Sequence, residues 1–105
     1  MTDINNKLDI ILDTADDKKA FNIKALDISG LTSITDYFVI ASGNSERQVN
    51  AISKAIEDKM EEKGFDIYNK EGYDTKRWIL LDFEDIVVHV FHKDDREFYD
   101  LERLW

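Results

Sequence analysis

The chain has no cysteine. That removes a disulfide framework, a thiolate metal site and a thiol nucleophile, and makes a reducing cytoplasm the expected compartment. Long apolar runs are missing as well. None approaches the about 20 residues that a membrane span requires, and residues 1–7 have neither the basic start nor the apolar centre of an export signal, so a soluble protein is expected. Basic charge is scarce: 14 Lys and Arg stand against 23 Asp and Glu, leaving a formal net charge of −9. The acids are scattered rather than gathered in a tail, so most of them belong to solvated surface. A field of that sign repels phosphate backbones and favours encounter with basic proteins. Little or no direct nucleic-acid contact is therefore expected, and no membrane contact; a basic protein partner is expected instead.

What is present suits one folded unit spanning residues 1–105, the common size of a single domain, with aromatic residues spread from Phe21 to Trp105. Ile4, Leu8, Ile11, Leu12 and Ala15 recur at helical spacing, and the solvated run Asp16, Asp17, Lys18, Lys19 closes that helix. Residues 21–28, carrying Ile23, Leu26 and Ile28, read as a short strand ending at a turn through Ser29 and Gly30. Tyr37, Phe38, Val39, Ile40 and Ala41 suit a strand buried on both faces. Ser45 and Gln48 form a capping box, in which the serine oxygen accepts a backbone N–H and the glutamine reaches back, so a helix starts there. Its apolar stripe is Val49, Ile52, Ile56 and Met60, with Ala51 and Ala55 beside it, while Glu57, Asp58, Glu61 and Glu62 are expected to face away. Gly64 supplies the left-handed residue that ends it.

Further along, Phe65, Ile67 and Tyr68 alternate as a third strand before a polar turn over residues 69–72. Residues 78–83 and 86–91 read as an antiparallel hairpin joined by an acidic turn at Glu84 and Asp85. Asp94 and Asp95 suit a helix start, with Phe98, Leu101, Leu104 and Trp105 on one helical face. The expected class is α/β: a mixed sheet of about five strands with two or three packing helices.

That arrangement raises a question of coverage. Trp78 and Leu80 point to one side of their strand and Ile79 and Leu81 to the other, so both faces are apolar. Two long helices and a short one are expected to leave part of one face open, as an apolar area with an acidic rim suited to docking. Trp78 is the foremost candidate, because tryptophan offers a large apolar area at little rotamer cost; its plain alternative is ordinary core. Leu80 shares its face, and Asp82 continues the alternation with a carboxylate for a Lys or Arg. His89 and His92 stand an odd number of residues apart on a strand and cannot converge on one ion; His89 is expected as a packed, hydrogen-bonded residue, and neither metal nor cofactor is expected.

Three segments carry a resemblance. "DYFVIASGNSERQVNAI" from Asp36 to Ile52, "EGYDTKRWILLDFEDIVVHVF" from Glu71 to Phe91 and "REFYDLERLW" from Arg96 to Trp105 resemble the ribosomal silencing factor (RsfS, Iojap-like) family in order and spacing, over nearly half the chain. The resemblance implies a fold related to the nucleotidyltransferase palm and a cytoplasmic role in translation. It also implies binding to the large ribosomal subunit through its universal ribosomal protein fourteen, where the small subunit would dock, so that subunit joining is blocked sterically. Organellar relatives are associated with large-subunit maturation, which makes an assembly factor with the same partner an alternative. Trp78 matches the family's tryptophan at the start of the hairpin. Glu71, Gly72, Tyr73 and Asp74 match its "EG" loop and are expected to rim the interface, with a plain turn as the alternative. Tyr99 matches the C-terminal motif and joins the partner-binding candidates, whereas Leu101 and Trp105 of that motif suit terminal core. In the free protein a homodimer could hide the apolar face.

The related fold raises one enzymatic alternative. Gly43, Asn44 and Ser45 before a helix resemble the glycine and serine turn with which nucleotidyltransferases hold a triphosphate. Ser45 is already engaged as the cap, however, and a magnesium pair would need two carboxylates on one strand face. Asp82 and Glu84 have that separation, but Glu84 falls in the turn, so no catalytic residue is expected.

Overall fold

A computed structural model describes residues 2–31 and 35–99 of the chain. The elements are α1 (Thr2–Asp17), β1 (Phe21–Asp27), β2 (Tyr37–Gly43), α2 (Glu46–Glu62), β3 (Asn69–Glu71), β4 (Trp78–Asp82), β5 (Ile86–His92) and α3 (Lys93–Tyr99). Five strands form a mixed sheet in the order β1-β2-β5-β4-β3. β2 and β5 run parallel, and the other neighbours run antiparallel. β5 is thus the middle strand, and all of its residues are buried, which accounts for its unbroken apolar run.

α2 is set by local chemistry at both ends. The Ser45 Oγ accepts the Gln48 amide at 3.1 Å, and the Gln48 Oε1 accepts the Asn44 amide at 2.6 Å. The same glutamine donates from Nε2 to the carbonyls of Lys18 and Lys19, at 3.4 and 3.0 Å, tying the end of α1 to the start of α2. At the far end Gly64 takes φ +87°. Its amide donates to the Glu61 carbonyl at 3.0 Å and that of Phe65 to Met60 at 2.9 Å, a Schellman closure. Between these caps Val49, Ile52, Ile56 and Met60 are 0% exposed. Each contributes on the order of 1.5–3 kcal/mol by leaving water. Glu57 departs from the expected outward face: it is buried, 8% exposed. The residue follows Ser53 by one turn and precedes Met60 by three positions, so it lies at the margin of the stripe and meets β3 rather than water.

The third strand is displaced from its expected place. Phe65 and Ile67 are partly buried against the core in an irregular segment, and the three exposed residues Asn69–Glu71 make the strand. Pairing with β4 is a backbone matter, and a short polar strand is well suited to a sheet edge. The turn instead spans residues 72–77, with the Lys76 amide donating to the Gly72 carbonyl at 2.9 Å.

α1 and α2 cover one face. Val39 and Ala41 of β2, Ile79 and Leu81 of β4, Phe83, and Ile86, Val88 and Val90 of β5 join Ile11, Ala15 and the α2 stripe in one buried cluster. Alternation sends Phe38, Ile40 and Ser42, then Val87, His89 and Phe91, then Trp78, Leu80 and Asp82 to the opposite face. α3 is held at its start by polar contacts. Arg77 donates to the Asp95 Oδ1 from Nε at 3.1 Å and from Nη2 at 2.7 Å, and Arg96 donates to the Ser42 Oγ at 2.8 Å and to the Asn22 carbonyl. The expectation for Leu101, Leu104 and Trp105 lies outside the described residues, as do the side chains of Phe98 and Tyr99.

Candidate docking face

The residues of β4 split by period two. Ile79 and Leu81 are 0% exposed beneath the helices, while Trp78, Leu80 and Asp82 on the other face are only half-buried. The expected division of this strand is therefore the one found, and its second face is partly open. Trp78 stands opposite Phe91 in the β4/β5 ladder and stacks on it, with ring centroids 4.9 Å apart at 27°. Its indole Nε1 donates to the Nδ1 of His89 at 3.0 Å. Phe38 meets the same imidazole edge-on at 4.8 Å. Phe38, His89 and Trp78 thus form an aromatic row across β2, β5 and β4.

His89 is a packed histidine, as its sequence setting suggests. Burial pushes its pKa down to about 4, so the ring is neutral near pH 7. Because Nδ1 accepts from Trp78, the ring proton sits on Nε2, which is buried without a hydrogen-bond partner among the described residues. His92 does not converge with it: the His92 Nδ1 accepts the Asp94 amide at 3.2 Å. Among the described residues no cluster of three or more His, Asp or Glu is placed to hold a metal ion.

The acidic rim comes from two strands. Glu71 stands opposite Leu80 in the β3/β4 ladder, and so shares the face of Leu80 and Asp82. Its carboxylate accepts from the Asn69 side chain at 3.0 Å and is otherwise exposed. The Asp82 Oδ1 accepts the Glu84 amide at 2.8 Å, and Glu84 sits at φ +79° at the exposed tip of the turn. Asp82 therefore shapes the turn, and Glu84 does not join it on a strand face as a two-magnesium site would require. Gly43 also has a packing reason: a Cβ there would stand 3.1 Å from both the Val49 amide nitrogen and its Cγ2.

The remaining loop candidates separate. Gly72 takes φ +94°, and a Cβ would stand 2.0 Å from the Trp78 carbonyl oxygen, so glycine is what lets the loop close against β4. Asp74 is exposed in the turn. Tyr73 goes to the helix side: it packs against the core and donates its hydroxyl to the Glu57 Oε2 at 2.9 Å, while Lys70 reaches the Glu57 Oε1 at 2.6 Å. Burial raises the Glu57 carboxyl, but the hydrogen bonds from Lys70 and Tyr73 and the charges of Lys70 and Lys54 prevail, leaving it below its ordinary value. A cleft of about 400 Å³ lined by Asn50, Lys54, Glu57, Lys70 and Tyr73 opens there. The structure thus brings together Trp78, Leu80, Asp82 and Glu71, uses Gly72 as backbone, and places Tyr73 elsewhere; α3 ends at Tyr99. The place of Phe38 has no local sequence signal, because β2 pairs with β5 in parallel, and the bond from Trp78 to His89 depends on the register of the β4/β5 hairpin.

The family model described as ribosomal silencing factor during starvation matches residues 1–105. The ribosomal silencing factor RsfS of Bacillus subtilis is 49% identical over 98 residues, which cover 93% of this chain and 83% of that protein. A crystal structure of a Chromobacterium violaceum protein, 37% identical, matches 97% of this chain and 85% of its own with a TM-score of 0.95. A mouse protein named mitochondrial assembly of ribosomal large subunit protein 1 is 33% identical, over 93% of this chain and 44% of its own length.

Proposed function

The chain belongs to the ribosomal silencing factor family, and from that membership we propose that it represses translation by binding the large ribosomal subunit through its universal ribosomal protein fourteen and blocking access of the small subunit. The half-open face of β4 carries the reading: Trp78 and Leu80 supply apolar area, and Glu71 and Asp82 flank it with carboxylates suited to the lysines and arginines of a ribosomal protein. The net charge of −9 points the same way, toward a basic protein and away from direct rRNA contact. The place of action is the cytoplasm, where ribosomes work; no described helix is long and apolar enough to cross a membrane. The protein acts without catalysis, as one folded unit.

Co-sedimentation with purified large subunits, followed by a subunit-joining assay, tests this reading. The wild type is expected to pellet with large subunits and to suppress joining, and Trp78→Ala to lose both while remaining folded. An unaffected joining reaction would reject the proposal. A second reading, a large-subunit assembly factor with the same partner, is favoured by the name of the mouse relative. It predicts accumulating large-subunit precursors on deletion, with mature subunits joining normally in vitro.

A further inference from the structure

We propose that His89 is the positioning residue of the docking face, holding the Trp78 indole in one orientation through its Nδ1. This rests on the reading of Trp78 as the docking anchor. In the β4/β5 ladder Leu80 is paired with His89 and Trp78 with Phe91, so the indole reaches diagonally, over Phe91, to the imidazole. The two rings lie 5.9 Å apart, tilted by 41°, with Nε1 and Nδ1 at 3.0 Å.

The two partners in that bond are unequal. His89 sits on the middle strand, paired with Ile40 on one side and Leu80 on the other, and is 4% exposed. Phe38 closes on it edge-on at 4.8 Å and Phe91 flanks it at 6.3 Å. The imidazole is therefore the fixed member, and the half-buried indole is the one being oriented.

Among the described residues the hydrogen bond that His89 makes through its side chain is the one to Trp78. Its buried Nε2 has no hydrogen-bond partner among those residues, which costs stability that a phenylalanine of similar shape would not lose. The acceptor it offers Trp78 is what the residue type adds. An anchor already held in one orientation loses less freedom on binding, which is how rigid aromatic residues raise affinity at interfaces.

The test compares His89→Phe, His89→Asn and His89→Gln with Trp78→Ala, reading large-subunit affinity and the indole N–H resonance of residue 78, assigned by its loss in Trp78→Phe. The wild-type N–H is expected downfield and slow to exchange. His89→Phe is expected to shift it, to speed its exchange and to weaken binding roughly three- to tenfold, the loss of about one immobilised side chain. Asparagine, whose Oδ1 takes the place of Nδ1, is expected to restore both readouts, and glutamine, whose carbonyl falls nearer Nε2, is not. Should His89→Phe not fold, the order of Asn above Gln carries the test, and an equal or reversed order overturns it. Wild-type affinity in His89→Phe beside a weakened Trp78→Ala overturns the positioning role and leaves the docking reading standing. Wild-type affinity in Trp78→Ala overturns both.

Discussion

Tyr73 donates its hydroxyl to Glu57 at 2.9 Å, across the seam between β3 and α2, and so stands on the opposite side of the sheet from Trp78. Burial first, and then the Glu57 carboxylate, hold the phenol proton on, so the bond persists through the alkaline range in which tyrosine normally titrates. Tyr73→Phe is expected to cost on the order of 1 kcal/mol in urea unfolding, since Lys70 still satisfies Glu57, and to leave ribosome binding unchanged. Weakened binding at unchanged stability would return this ring to the interface.

Gly72 carries the opposite expectation. A methyl group there meets the Trp78 carbonyl at 2.0 Å in a backbone conformation that disfavours side chains. Gly72→Ala is expected to destabilise the fold by about 3 kcal/mol, through left-handed strain plus displacement of the strand that bears the docking residues. Thermal unfolding measures it. A loss below about 0.5 kcal/mol would mean that the loop simply moves aside.

These two neighbours show where sequence reasoning reaches and where it stops. The caps and stripe of α2 were legible because they are written within one helix, at spacings of three and four residues. The two-sidedness of β4 was legible because alternation is local. The position of β3 was not, since Asn69–Glu71 form a strand only because β4 lies alongside. Nor was the side taken by Tyr73, which depends on Glu57 being turned inward at the edge of the α2 stripe. The bond between Trp78 and His89 needed the register of the hairpin, although the alternation that puts both on one face was in plain view.

Stability is expected to fall with acidification in a window that belongs to His89. Its pKa lies at about 4 in the folded chain against 6.5 for an unperturbed imidazole, so between those values the unfolded chain holds a proton that the folded chain lacks. The contribution is fully present above pH 6.5 and is lost as pH falls toward 4, amounting to on the order of 3 kcal/mol. Glu57 adds to acid loss in a lower window: its folded pKa is depressed, so its contribution is present above about 4.5 and disappears below it. Denaturant unfolding from pH 7 to 4 is expected to show a slope that His89→Phe flattens. An unchanged slope in that variant would mean that the imidazole is already charged in the fold.

Glu71 and Asp82 allow the electrostatic part of docking to be separated from the apolar part. Both share the face of Leu80, and both can be neutralised with little structural change: Gln at 71 keeps an acceptor for Asn69, and Asn at 82 keeps the Oδ1 that receives the Glu84 amide. The double variant Glu71→Gln, Asp82→Asn is expected to unfold within about 0.5 kcal/mol of the wild type. Its loss is expected in association rate, because surface carboxylates steer a basic partner over distances that salt screens. Wild-type binding to large subunits should weaken as salt rises, and the double variant should show a shallower dependence, converging on the wild type at high salt. Trp78→Ala, by contrast, removes contact area rather than charge, so its deficit should persist at every salt concentration and appear mainly in dissociation. Parallel salt curves for wild type and double variant would show that these carboxylates do not face the partner, and would leave Trp78 and Leu80 as the contacts on this strand.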